Sequence, residues 1–201
     1  MSLGTQGQAH VFNRMAANID FPTTAQRILT GPPFYIEGGQ FGWALAISPD
    51  ALFLVVGTPG LNSNGGQVDY YTRTSINNPF SSPTMLLAGS PHSYVGQAIE
   101  MTSDTLIIFV GSRRYVRVHK RATPASTFGT PQAIYFNDPS FGTSISITPD
   151  ALQLAVGAPS LDLNGQVLIF SRASTGVDFP ETPQQAVDPG GSITLYGYTT
   201  I

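Results

Sequence analysis

Three nearly unbroken apolar runs, LFLVVG (52–57), LIIFVG (106–111) and LQLAVG (152–157), recur along the chain. A short run that is apolar on both faces predicts a strand covered on both sides. Each is preceded by a segment that opens on a glycine, FGWALAIS (41–48), VGQAIEMT (95–102) or FGTSISIT (141–148). That segment predicts a first strand, with the glycine allowing close backbone approach. First and second strands are joined at Ser48-Pro49-Asp50, Ser103-Asp104 and Thr148-Pro149-Asp150, where proline presets φ and aspartate can bond its own backbone in a tight turn. A third strand is written GQVDYYTR (66–73), YVRVHKR (115–121) and GQVLIFSR (165–172), and the chain begins with a fourth version, GQAHVFNR (7–14). All four end on an arginine in one register: Arg14, Arg73, Arg121 and Arg172. A fourth strand follows each, introduced by Phe21, Phe80, Phe128 or Phe179. Short Pro, Ser, Thr and Asn loops separate them, and no window sustains a 3.6-residue period, so little or no helix is expected.

The copies start at Phe41, Val95 and Phe141, 54 and 46 residues apart, the size of a four-stranded propeller blade. The fold class expected is therefore all-β, a β-propeller-like array of about three and a half to four antiparallel four-stranded blades. Within a single domain spanning 1–201, the pattern divides into a half blade (1–40), a blade (41–90), a degenerate blade (95–138), a blade (141–190) and a closing or edge strand (191–201). The final GSITLYGYTTI reads as one more first strand. Because propellers generally need four or more blades to close, the two ends either seal a small ring or are completed by another chain. An uncovered apolar edge invites pairing, which favours an oligomer or larger assembly.

Only 10% of the 201 residues are charged, against roughly 25% in an ordinary soluble domain, while Gly (21) and Pro (16) are plentiful. A net charge of −3 provides no basic stripe to displace counterions, so nucleic acid is not an expected partner. With no cysteine there can be no disulfide and no thiolate metal site. No apolar run reaches the length of a membrane span, and MSLGTQGQAH lacks the basic and apolar regions of a signal peptide.

Phe-Gly, an apolar strand ending VVGTP or AVGAP, then NGGQV or NGQV and an aromatic strand: this order resembles the FG-GAP repeat of integrin alpha-subunit β-propellers and related extracellular proteins. The match is strong over 41–75 and 141–174, weak over 95–123 and partial over 7–36. The resemblance implies propeller blades that bind proteins or glycans, and an extracellular or surface location, with a virion-associated one also open. Integrin-type copies carry a calcium loop between the first two strands. Here that connection is only SPDA or TPDA, and one carboxylate cannot supply the six to eight oxygens calcium takes. No cofactor is expected, and calcium at the first-to-second strand turns is disfavoured.

The loops carry the candidate binding residues: Asn62, Asn64, Asp162 and Asn164 in LNSNGG and LDLNG, the unique Trp43, and the aromatics Tyr70 and Tyr94. For the Asn and Asp loops a plain turn with left-handed residues is the favoured reading over a cation site. The repeated arginines read as strand-end caps and blade-packing residues rather than a ring of ligand-binding cations. His10, His92 and His119 are too scattered for a metal site, and Asp50, Asp104 and Asp150 recur as turn residues do. No catalytic residues are expected. The function expected is non-catalytic recognition or adhesion, binding protein or glycan. A structural subunit of a virion, fibre or surface layer is the alternative, and a propeller glycosidase the second alternative.

Overall fold

The computed structural model describes residues 7–14, 16, 18–31, 38–190 and 193–195. Among the described residues fifteen strands form four antiparallel sheets, and the helical content is one turn at Leu61–Asn64 and one at Leu161–Leu163. The first sheet pairs β1 (Gln8–Val11) with β2 (Arg27–Thr30). The second runs in the order β3 (Leu45–Ile47), β4 (Phe53–Thr58), β5 (Gln67–Thr72), β6 (Thr84–Ala88). The third repeats that order with β7 (Ala98–Met101), β8 (Ile107–Ser112), β9 (Tyr115–Lys120) and β10 (Gln132–Tyr135). The fourth comprises β11 (Ser144–Ile147), β12 (Gln153–Ala158), β13 (Gln166–Ser171), β14 (Gln185–Val187) and β15 (Ile193–Leu195). The protein is thus an all-β, propeller-like array of three blades and a half blade, and the half blade holds the third and fourth strand positions.

The tail departs from the expected pattern. Ile193–Leu195 does not open a new sheet but pairs with β14 as a fifth, outermost strand. Its sequence lacks the Phe-Gly or Val-Gly start of every true first strand. Residues 1–6, 32–37, 191–192 and 196–201 lie outside the described residues, so the opening MSLG and the last part of the tail have no structural account.

Blades meet through three apolar clusters. Ala9, Phe41, Leu54, Val56 and Tyr71 join the half blade to the first blade. Phe53, Val55, Val68, Val95, Ile99, Ile108 and Val110 join the first to the second. The third cluster, centred on Phe109, Phe141, Leu154 and Phe170, joins the second to the last. Among the described residues none of the three clusters links the last blade to the half blade. The sandwiched second strands β4 and β8 are buried at every position, whereas β12 is exposed or half-buried at alternate ones.

A backbone joint sets the blade spacing. The glycine opening each first strand sits against the middle of the preceding sheet. A Cβ on Gly57 would lie 2.1 Å from the Gly96 carbonyl oxygen, and one on Gly111 2.3 Å from that of Gly142. The first-strand glycines also face third strands: a Cβ on Gly96 would meet the Gln67 carbonyl oxygen at 3.0 Å, one on Gly142 that of Tyr115 at 2.8 Å, and one on Gly42 that of Gln8 at 2.9 Å. That contact identifies β1 as the equivalent of β5 and β9.

Candidate functional site

The first-to-second strand turns are structural devices. The Asp50 carboxylate accepts from the Ser48 hydroxyl (2.5 Å) and the Leu52 N–H (2.9 Å). Asp104 and Asp150 repeat both bonds with Thr102 and Leu106, and with Thr148 and Leu152. These bonds to the charged form hold the Asp50 and Asp150 carboxyls below their ordinary range. Every lone pair so engaged serves the turn, as the sequence indicates.

The repeated arginines also resolve into structure. Arg73, Arg121 and Arg172 each donate from Nε to a backbone carbonyl of the adjacent turn, on Ala51, Thr105 and Ala151, at 2.8–3.0 Å. Their guanidinium groups lie 4.4–4.7 Å from the centroids of Phe80, Phe128 and Phe179, the aromatics that introduce the fourth strands. Arg14 stacks on Phe21 in the half blade at 4.7 Å. Cation–π stacking and carbonyl capping account for the conserved register within the chain.

The opposite rim is formed by the Phe-Gly and Val-Gly turns and the loops between second and third strands. Six of the seven candidate residues lie there: Trp43, Asn62, Asn64, Tyr94, Asp162 and Asn164. Tyr70 does not. It sits within β5, half-buried, stacked on Phe53 at 5.2 Å and edge-on to Phe128 at 5.9 Å. Asn62, Asn64 and Asp162 hold left-handed backbone, with φ of 51°, 61° and 50°, as the turn reading requires. The Asp162 carboxylate accepts from the Gln166 amide at 3.0 Å. Among the described residues no three His, Cys, Asp or Glu side chains come together in a metal-binding group.

The structure brings Asn64 and Tyr94 together, since the Tyr94 N–H donates to the Asn64 carbonyl at 2.8 Å. It leaves Trp43 one blade away, 62% exposed. Between the second and last blades, beside Tyr94, opens a cleft of about 500 Å³ lined by Gln97, Arg113, Ser140, Thr143, Pro159 and their neighbours. Gln97 and Thr143 take the position of Trp43, directly after the repeated glycine. The Gln97 Nε2 amide is buried without a hydrogen-bond partner among the described residues. Arg113 is exposed and its side chain has no partner among the described residues. Sequence reasoning missed both, although Arg113-Arg114 is the one adjacent pair of arginines in the chain and lies in its most divergent copy.

His119 is buried at the position held by Tyr71 and Phe170 in the other blades. Burial, helped by the nearby Arg117 charge, pushes its pKa down to about 4. Burial pushes the Tyr71 phenol up to about 12, with Asp69 adding to the effect.

Fold and site together define a propeller-like β protein with a polar rim. Neither the protein-family models nor the curated proteins include a match to this chain. Among solved structures, it is similar to a functionally unknown protein from Desulfotomaculum acetoxidans, at 15% identity and a TM-score of 0.39. That likeness covers 79% of this chain and 59% of the other, so the chain spans less than two thirds of that neighbour.

Proposed function

We propose that the protein is a non-catalytic recognition module of extracellular or surface type, which binds an acceptor-rich face of a protein or glycan in the rim cleft beside Tyr94. The observation that carries this reading is the pair of unused donors, Gln97 Nε2 and the Arg113 guanidinium, on one 500 Å³ cleft. A buried donor without a partner costs about 1–3 kcal/mol, and a carboxylate or sugar oxygen would satisfy it. Tyr94 supplies a flat amphipathic surface of the kind favoured at interfaces. The turn aspartates are committed to their own backbone, which argues against a glycosidase built on them. The FG-GAP resemblance, with its implied adhesion role, agrees with this reading but rests on motif order alone. A screen of glycans and surface proteins tests it: a ligand should be retained, without turnover, and Arg113→Ala should weaken it at least tenfold. Binding unaffected by Arg113→Ala and by Tyr94→Ala would remove the cleft from consideration. The second reading, a subunit of a larger assembly, is favoured by the exposed apolar face of the half blade.

A further inference from the structure

The half blade and the first blade enclose an apolar groove of about 560 Å³ lined by Ala9, Val11, Phe12, Phe21, Leu45 and Ile47, among others. The chain's own repetition shows what such a groove accommodates. Phe12 is 40% exposed, yet Tyr71, His119 and Phe170, at the same position of the other third strands, are 3%, 2% and 0% exposed. Each of those three is paired across the sheet with a second-strand residue: Leu54, Ile108 or Leu154. The first strands tell the same story from the opposite wall. Leu45 is 47% exposed, while its equivalent Ile99 is 8% exposed and packs with Phe53 and Val55 of the preceding second strand. Ile145 and Ile147 likewise pack in the cluster of Ile107 and Phe109, whereas Ile47 is 49% exposed. Among the described residues β1 pairs on one side only, with β2.

We infer that this groove is a docking site for a β-hairpin of the blade's own first-and-second-strand type, supplied from outside the described residues, which adds to the edge of β1 left unpaired among them and completes the half blade. Main-chain hydrogen bonds along β1 provide the attachment; alternate apolar side chains of the incoming second strand face Leu45 and Ile47, and the residue between them pairs across the sheet with Phe12. The occupant is specified by the two full blade-to-blade interfaces of the same chain. It needs apolar residues at alternate positions of one strand, as at Phe53 and Val55 or Ile107 and Phe109, followed by a glycine at the place of Gly57 and Gly111. The inference is separate from the rim reading, since no groove residue named here lines the cleft beside Tyr94.

A labelled synthetic peptide of residues 41–58, titrated with the full chain and followed by fluorescence polarisation, tests it. Saturable binding is expected. It should weaken at least tenfold with Leu45→Glu or Ile47→Glu, both exposed positions that the fold tolerates, and remain unchanged with Arg113→Ala. A peptide with Phe53 and Val55 replaced by serine should not bind. Circular dichroism and the melting temperature of each variant report that the fold is retained. Absence of binding by a monomeric chain would overturn the inference. So would a chain that is dimeric alone, refuses the peptide and becomes monomeric with Leu45→Glu, because the groove would then belong to a second copy.

Discussion

At the scale of single residues, His119 makes the sharpest experimental statement. Its folded pKa of about 4 lies below the 6.5 of an unperturbed imidazole. Between those values the unfolded chain takes up a proton that the folded chain refuses, so stability is full above pH 6.5 and falls as pH drops toward 4. The loss is bounded at about 3 kcal/mol, from 1.36 kcal/mol per pKa unit. His119→Phe, which installs the residue found at Phe170, should flatten the denaturant midpoint between pH 6.5 and 4 without altering the fold. Asp50 and Asp150 act at lower pH. Their depressed pKa values mean stability is lost as pH falls below the ordinary carboxylate range, and that acid limb should survive the substitution. The roles of the arginines and turn aspartates were legible in the sequence, because repetition at fixed register is the mark of a scaffold residue. Gln97 and Arg113 were not legible, since each occurs in one copy only and their convergence depends on how two blades are set side by side.

At the scale of elements, the joint between blades depends on glycines whose side of the sheet is occupied by a neighbour's carbonyl. Gly111→Ala would place a methyl 2.3 Å from the Gly142 oxygen. Backbone must move, and a cost of about 1–3 kcal/mol is expected from comparable overpacking. Gly157 is the equivalent position in the last blade, where the nearest atom to an added Cβ is the Ser144 hydroxyl at 2.2 Å. A single hydroxyl can rotate away, so Gly157→Ala should shift the midpoint far less; comparing the two midpoints in urea checks the difference. Strand order and strand type were readable from the alternation of apolar runs and turns. The place of Ile193–Leu195 was not, because three or four alternating residues fit an outer strand as well as an inner one.

At the scale of the whole molecule, a row of blades should loosen from its weaker end. Contacts in such arrays are mainly with neighbours, and the two-stranded half blade contributes little buried surface beyond Ala9 and Val11; isolated two-stranded ribbons are marginal in water. Amide exchange should therefore be fastest in β1 and β2 and slowest in β8 and β9, which have neighbours on both sides; uniform protection across the four sheets would contradict this. The far end is built differently. Where β4 and β8 present Phe53 and Val55, and Ile107 and Phe109, β12 has Gln153 and Ala155. Gln153→Phe with Ala155→Val would restore the inner-blade pattern on that strand, and concentration-dependent association in light scattering is the expected result.

The glycine-to-carbonyl joint has a consequence for how such a chain can change over time. Contact between one blade and the next is made by main chain, which every sequence possesses, and its requirement on side chains is only that one be missing. The second copy has lost the phenylalanine, the turn proline and the asparagine-glycine loop of its neighbours, yet Gly96 and Gly111 keep its geometry in step. Blades can diverge widely in chemistry without losing their seat, and new surface properties can be tried one blade at a time.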